Sequence, residues 1–196
     1  VTLGDQSVFE AVVKALGLPA GWQKRLIQAF GNSAQIDQLL RTLATPTPVP
    51  GLDPQVSALL AKGDQEALIA HIDQTMQETG YLTNASRTPA EIARRLKEKL
   101  ELSETRLDGA ALLLLREFLS LELPLGDASA ALAGFADAAG LKLGPALTRF
   151  DERVAALAST GVDLDRITYR AAFGRPLDYY TGLVFEVAVK EKPAVL

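Results

Sequence analysis

Apolar residues recur at helical spacing along most of the chain. Val8, Val12 and Leu16 lie on the first stripe, which is closed by Gly17, and Asp5 stands at the position of its N-cap. Because residues three and four apart share one face of a helix, such stripes predict helices that bury one side. The same pattern predicts helices over residues 22–30, 33–43, 56–60, 68–76, 89–100, 108–119, 127–139 and 145–159.

Cap and turn residues mark the boundaries of several of these helices. Ser33 is the predicted cap of the third helix. Thr88, followed by Pro89 and then by Glu91, has the pattern of a capping box with proline at the first helical position. The proline-rich stretch at residues 45–54 predicts a loop, because proline and glycine interrupt regular structure.

The periodicity changes towards the end of the chain. Residues 167–173 and 183–189 are short apolar runs of strand type, and residues 1–3 resemble the end of another strand. We therefore predict an α+β fold in which helices pack on one side or end of an antiparallel sheet. Residues 1–196 would form the central part of one larger domain, with a strand remnant at 1–3, a mainly helical region at 5–160 and strands within 165–190.

The charge balance of the chain is acidic. Its 196 residues include 20 Lys and Arg against 24 Asp and Glu, which gives a formal net charge of −4. Nucleic-acid-binding domains usually present clustered basic residues and a basic balance. The densest basic stretch, at residues 94–99, is interleaved with glutamates, so it predicts a solvated helix face and no tRNA partner.

The sequence contains no cysteine, which excludes disulfides, thiolate metal sites and cysteine nucleophiles. This composition fits a reducing compartment, and we expect a cytoplasmic protein. The first residues do not have the pattern of a signal peptide, and the apolar run at residues 110–115 is too short to span a bilayer. We therefore expect no membrane association. Because the predicted strands cannot complete a sheet alone, we also expect the sequence to be part of a longer protein.

Conventional catalytic motifs are missing from the sequence. It has neither a P-loop nor a glycine-rich dinucleotide motif after a strand. His71 is the single histidine, which leaves too few ligands for a multi-histidine metal site and no His-based triad. We assign His71 a structural or surface role, and we predict no catalytic residue, no metal site and no cofactor.

Residues 175–186 gather the polar groups that a small amino-acid pocket requires. Arg175 and the adjacent Tyr179 and Tyr180 precede Gly182 in a loop that leads into a strand. Neighbouring residues of an extended segment point to opposite faces, so one tyrosine should face a pocket while the other packs under the sheet. A phenol can hydrogen-bond an imidazole, and a guanidinium can grip a carboxylate. Taken alone, however, these residues favour a simpler interpretation, a hairpin whose tyrosine pair supports the core.

The same segment resembles the histidine-specific motif of histidyl-tRNA synthetases, a class II aminoacyl-tRNA synthetase family. It reads Arg-Pro-Leu-Asp-Tyr-Tyr-Thr-Gly-Leu-Val-Phe-Glu here, and many members have Arg-Gly-Leu-Asp-Tyr-Tyr-Thr-Gly followed by Val-Phe-Glu. The resemblance is close over residues 169–189 and loose over the rest of the chain. It implies a class II synthetase-like core and a histidine-binding site formed by Arg175, Tyr179, Tyr180, Thr181 and Gly182.

The resemblance also implies a role for each of these residues. Tyr180 would reach the imidazole of a bound histidine, Arg175 would steady its carboxylate, and the other three residues would shape the pocket wall. Pro176 stands where the family usually has glycine. Because proline fixes φ and removes an N–H donor, this departure counts against aminoacylation more than against histidine binding.

Two kinds of protein share this motif. One is the synthetase, and the other is the synthetase-like regulatory subunit of ATP phosphoribosyltransferase, which supports the short-form catalytic subunit in the first step of histidine biosynthesis. The segment at residues 4–9, the helices behind it and the acidic balance favour the regulatory subunit. The resemblance then implies a non-catalytic protein that senses L-histidine for feedback control, binds the catalytic subunit and self-associates.

Two alternatives remain open at this point. A histidyl-tRNA synthetase would be an ATP-dependent ligase and would show histidine-dependent pyrophosphate exchange. A structural partner subunit would bind the catalytic subunit but would take up no histidine.

Overall fold

A computed structural model describes the chain at residues 1–45, 51–80, 88–175 and 182–188. These ranges contain nine α-helices, one short 3-10 helix at Leu164–Arg166 and four strands. In chain order the strands and α-helices are β1 (Thr2–Asp5), α1 (Gln6–Ala15), α2 (Ala20–Gln28), α3 (Ser33–Ala44), α4 (Pro54–Lys62), α5 (Gln65–Glu78), α6 (Pro89–Glu104), α7 (Gly109–Leu119), β2 (Glu122–Pro124), α8 (Leu125–Ala138), α9 (Gly144–Ser159), β3 (Thr168–Arg170) and β4 (Leu183–Glu186).

The chain divides into two compact units. The first unit comprises Val1–Ala44 and Leu107–Leu196, and it contains the sheet together with α1–α3 and α7–α9. The second unit, Thr45–Arg106, contains α4–α6. The predicted histidine motif lies in the first unit.

The four strands of the first unit form one mixed sheet in the order β2-β3-β1-β4. β1 runs parallel to β3, with Thr2 beside Thr168, while β4 is antiparallel to β1 and β2 is antiparallel to β3. The α+β prediction is confirmed, but the predicted antiparallel sheet is only partly right. Parallel neighbours require a long crossover connection, and the whole helical region between β1 and β3 supplies it.

Aromatic side chains form the centre of the first unit. Phe9 of α1 stacks on Phe30 with ring centroids 4.5 Å apart and lies 6.3 Å from Phe118 of α7. Trp22 of α2 is also buried in this unit. Each fully buried aromatic or aliphatic side chain contributes roughly 1.5–3 kcal/mol relative to exposure, so this cluster sets the position of α1 against its neighbours.

The predicted helix caps are confirmed with one exception. Asp5 caps α1 by accepting from the Ser7 and Val8 backbone N–H groups, as predicted. Thr88 caps α6 through the Glu91 N–H at 3.2 Å, which confirms the predicted start. The predicted cap Ser33 is wrong, because Asn32 makes that bond with the Gln35 N–H at 3.1 Å. Asparagine and serine are comparable caps, and the tertiary position of the turn decides between them.

The late strands are shorter than the apolar pattern predicted. The strand predicted at 167–173 is limited to Thr168–Arg170, because the chain then turns and the Phe173 N–H bonds the Arg170 carbonyl at 3.0 Å. The strand predicted at 183–189 ends at Glu186, and Val189 lies outside the described residues. The edge strand β2, which is three residues long, was not predicted, since so short a segment carries no periodicity.

The second unit is a small helical cluster. Its buried residues are Val56, Leu68, Ile72 and Ala93, with leucines and isoleucines of all three helices packed around them. On the outer side of α6, Arg94 pairs with Glu98 at 2.9 Å, and both side chains are more than half exposed. This pair supports the prediction of a solvated face. Within the part of the chain that the structure describes, no helix is long and apolar enough to cross a membrane.

Candidate functional site

The predicted histidine motif is described at its two ends. The structure covers Arg175 at one end and residues 182–186 at the other. Tyr179, Tyr180 and Thr181 lie outside the described residues. The structure therefore shows how each end of the motif is held.

Gly182 is held against the junction of β1 and α1. The Gln6 N–H donates to the Gly182 carbonyl at 3.1 Å. Immediately after it, Leu183 pairs with Asp5 and Val184 pairs with Gly4 in the antiparallel ladder. Because ladder hydrogen bonds define the register of a strand, this end of the motif has a defined place in the sheet.

Asp5 is a buried carboxylate at this junction. The residue is only 1% exposed. Its Oδ1 accepts from the Ser7 N–H at 2.7 Å and from the Val8 N–H at 3.3 Å, and it also accepts from the Ser7 hydroxyl. The first turn of a helix carries partial positive charge, so these bonds favour a carboxylate at this position.

Arg153 of α9 completes the coordination of this carboxylate. Its Nη1 lies 2.7 Å from the second oxygen of Asp5 and donates as well to the Ser7 Oγ at 3.0 Å. A buried charge needs a close partner of opposite sign, and without one its desolvation is strongly unfavourable. The ion pair therefore joins Arg153 of α9 to Asp5 at the start of α1, and these two residues are 148 positions apart in sequence.

The same guanidinium packs on Gly182. A Cβ added to Gly182 would lie 3.2 Å from the Arg153 Nη2 and 3.3 Å from its Cζ, which is tighter than nine in ten real Cβ contacts. A residue with a side chain would push the guanidinium aside. Glycine at this position thus lets the end of the motif approach Arg153 while the ion pair to Asp5 stays intact.

Glycines also guide the chain to the other end of the motif. Gly31 has a φ of +84°, and a Cβ there would overlap the Gly174 carbonyl and lie 2.8 Å from the Arg175 backbone nitrogen. A Cβ on Gly174 would in turn overlap the ring of Phe30. The chain leading to Arg175 is therefore pressed against the turn that follows α2, and only glycine fits at both contacts.

The approach to Arg175 crosses the sheet over β1. A Cβ on Gly4 would overlap the carbonyl oxygen of Phe173. Gly4 therefore marks the face of the sheet on which residues 173–175 lie. Thr2 and Glu186 share this face, because they pair with each other and Thr2 is two residues from Gly4.

Among the described residues, the Arg175 side chain makes only loose contacts. Its Nη2 lies 3.8 Å from the Glu186 Oε2, and its guanidinium carbon lies 6.0 Å from the centre of the Phe173 ring. The side chain is 47% exposed and that of Glu186 is 54% exposed. A long ion pair in water contributes little, about 0–1 kcal/mol. The donors of Arg175 thus remain accessible to a carboxylate or phosphate group.

The two arginines contact the sheet from opposite faces. Arg175 meets Glu186 on the face of Thr2 and Gly4, whereas Asp5 is an odd number of residues from Thr2 and points to the other side. Arg153 binds Asp5 on that second face. Arg153 and Asp5 were not among the predicted site residues, since nothing in the local sequence connects α9 to β1.

Tyr169 is another residue to which sequence reasoning gave no role. It is fully buried in β3 and meets Phe150 of α9 edge-on, with centroids 5.3 Å apart. Its hydroxyl has no hydrogen-bond partner among the described residues, and the same is true of the Gln6 Oε1. Burial raises the pKa of the Tyr169 phenol, and the nearby Asp5 carboxylate raises it further. This phenol therefore stays neutral at physiological pH.

Side chains that could bind a metal ion do not cluster in the described part of the chain. Within those ranges no group of at least three His, Cys, Asp or Glu side chains is placed to hold a metal ion. His71 is half-buried in α5 of the second unit, away in sequence from the motif. The described residues of the first unit offer hydrogen bonding and charge recognition by arginine, carboxylate and hydroxyl groups.

Comparison with known proteins gave matches of high identity that cover the whole of this chain. The chain is 74% identical over 196 residues to the ATP phosphoribosyltransferase regulatory subunit of Allorhizobium ampelinum, and covers 53% of that protein. It is 70% identical to the protein of the same name from Rhizobium rhizogenes and 62% identical to that from Agrobacterium fabrum, covering 53% and 52% of their lengths. The chain thus spans about half the length of the curated relatives it matches. No family model and no solved structure matches it.

These matches confirm the resemblance to the regulatory subunit that the motif at residues 175–186 suggested. The matched region of each of these relatives spans all of the chain. Over all of its residues, the chain is homologous to a segment that makes up about half the length of each ATP phosphoribosyltransferase regulatory subunit from these bacteria.

Proposed function

We propose that the chain is part of a regulatory subunit of ATP phosphoribosyltransferase and is itself non-catalytic. It would support a catalytic subunit in the first step of histidine biosynthesis. The observation that carries this proposal is the 74% identity, along all 196 residues, to a protein of that name. A class II synthetase-like core and a cytoplasmic location belong to the same proposal.

The proposed ligand is L-histidine, and the proposed site is formed by Arg175, Tyr179, Tyr180, Thr181 and Gly182. Support comes from how the ends of this segment are held. Gly182 is bonded to the start of α1, and the backbone before Arg175 is pressed against Gly31. A loop whose two ends are fixed loses less conformational freedom on binding than a free one, which favours a pre-formed pocket.

Arg175 is the proposed partner of the histidine carboxylate. Its ion pair with Glu186 is long, at 3.8 Å, and both groups are about half exposed. A carboxylate that accepts two parallel N–H bonds from the guanidinium would form shorter and stronger contacts than this pair. Binding would therefore replace a weak ion pair with a strong one, and Glu186 would be released towards solvent or towards the ligand amino group.

Regulation requires more than a pocket. Histidine can inhibit or activate the complex only if it binds two arrangements of the subunits with different affinity. The ion pair between Arg153 and Asp5 is a candidate link, because it contacts Gly182 at one end of the motif and anchors α1 and α9 to each other. A ligand that shifts Gly182 would act directly on this pair.

The test is calorimetric titration of L-histidine into the full-length protein, alone and in complex with the catalytic subunit, with the variant Tyr180→Phe. Loss of one buried hydroxyl partner should weaken histidine affinity by about 1–3 kcal/mol, which is roughly 5- to 150-fold. Tyr169→Phe is the matched control, since it removes a buried hydroxyl outside the motif, and its histidine affinity should equal that of the unchanged protein.

Other results would redirect the proposal. Unchanged affinity of the Tyr180→Phe variant would remove Tyr180 from the site. A stable complex with the catalytic subunit that takes up no histidine would leave a structural partner subunit. Histidine-dependent exchange of pyrophosphate into ATP would instead indicate a synthetase.

A further inference from the structure

A second feature of the first unit is a groove between α1 and the start of α9. One wall is the outer side of α1, from Ser7 to Ala15, and the other is the turn at residues 140–143 with the first turns of α9. The groove has a volume of about 600 Å³ and is open to solvent rather than closed. We call it the basic groove; it is lined by Ser7, Glu10, Ala11, Lys14, Ala15, Gly140, Leu141, Lys142, Leu143, Pro145, Ala146 and Arg149.

The charges of the basic groove are opposite in sign to those of the chain. Lys14, Lys142 and Arg149 line it against a single carboxylate, Glu10, in a chain whose net charge is −4. Glu10 is paired with Lys14 at 3.2 Å. Lys142 and Arg149 are exposed and make no ion pair with any residue that the structure describes. Two unneutralised cations beside one groove attract a negatively charged partner.

Apolar side chains also line the basic groove. Leu141, Leu143, Pro145 and Ala146 contribute them on the α9 side, and Ala11 contributes one on the α1 side. A free inorganic anion would make no favourable contact with these apolar side chains. The combination of cations and apolar side chains is suited to a segment that carries both carboxylates and apolar residues.

We propose that the basic groove docks an acidic, partly apolar segment of the catalytic subunit. The identity of this occupant rests on the function proposed above, whereas its chemistry rests on the charges and the apolar lining of the groove. The contacts of Ser7 are the reason for proposing the catalytic subunit as the partner. Its hydroxyl lines the groove and also bonds both Asp5 and Arg153, and Arg153 packs on Gly182. A segment in the groove thus contacts the network that holds one end of the histidine motif.

The experiment measures the affinity between the full-length regulatory and catalytic subunits, by sedimentation velocity and calorimetry. The test variant is Lys142→Glu/Arg149→Glu. The control is Lys24→Glu/Arg166→Glu, which makes the same change in net charge at exposed residues of the first unit outside the groove. Circular dichroism and thermal unfolding confirm that both variants fold. The test variant should raise the Kd roughly tenfold or more, while the control changes it less than about twofold.

Salt provides an independent readout. Raising the ionic strength should weaken the unchanged complex and should have much less effect on the test variant, because the screened attraction is already lost. A test variant that binds as tightly as the unchanged protein would overturn the groove as the docking site, and so would equal weakening by test and control variants. If the test variant loses self-association and not the catalytic subunit, the occupant is a second copy and the assignment is wrong. Failure of the unchanged subunits to form any complex would contradict the proposed function itself.

Discussion

Replacing Arg153 with methionine tests how the motif is anchored. Methionine keeps much of the apolar stem of arginine but removes the guanidinium. The Asp5 side chain, which is fully buried, then loses the partner that lies 2.7 Å from its second oxygen. Ser7 loses a bond to the same group, and the contact with Gly182 disappears. All three effects act at the junction of β1, α1 and α9.

The size of the stability loss depends on the hydrogen bonds that Asp5 keeps in the variant. Breaking a fully buried ion pair by removal of one partner typically costs about 3–5 kcal/mol. Asp5 keeps its bonds from the Ser7 and Val8 N–H groups, and the Arg153 side chain is 31% exposed and so partly screened. We therefore expect the free energy of unfolding to fall by roughly 3 kcal/mol, at the low end of that range.

Urea denaturation followed by tryptophan fluorescence measures this change. Trp22 is the single tryptophan of the 196-residue sequence, and it is buried in the same unit as the ion pair. Arg149→Met is the matched control one turn earlier on α9, where the arginine is exposed, and it should change stability by less than about 0.5 kcal/mol.

A double-mutant cycle separates the ion pair from packing. Asp5→Asn/Arg153→Met removes both charges, so it should be less destabilised than the sum of its two single variants by about 1–3 kcal/mol. The reasoning would be refuted if Arg153→Met cost no more than the Arg149 control. It would also be refuted if the two single losses simply added, because the charges would then not interact.

Two further predictions concern residues in contact with this network. Gly182→Ala should displace the Arg153 guanidinium, so it should lower stability by about 1 kcal/mol in the unchanged protein and by much less in the Arg153→Met variant; equal losses in both backgrounds would show that the contact is irrelevant. Tyr169→Phe removes a buried hydroxyl without a described partner, so stability at neutral pH should stay level or rise by up to about 1 kcal/mol. The raised pKa of Tyr169 implies that stability falls above pH 10.0, where the unfolded chain loses the proton and the native one keeps it. The Tyr169→Phe variant should show a shallower fall in urea unfolding series between neutral and alkaline pH, and an identical fall would contradict the burial of this phenol.

Local chemistry was readable from the sequence wherever neighbours in sequence decide the outcome. Asp5 and Thr88 cap their helices because a short polar side chain bonds N–H groups two or three residues ahead. The apolar stripes placed the helices for the same reason, since residues three and four apart meet on one face. The motif at residues 175–186 and its resemblance to histidine-binding proteins likewise depend only on the order of residues.

Contacts between residues far apart in the chain were decided only by the tertiary structure. The parallel pairing of β1 with β3, the shortening of the strand before Phe173, and the ion pair between Arg153 and Asp5 all depend on segments far apart in the chain. At Gly4, Gly31 and Gly174 another backbone or ring leaves no room for a side chain, and the sequence did not indicate these contacts. Short-range periodicity reports which face of an element is buried, whereas the partner that covers the face is set by the packing of the whole unit.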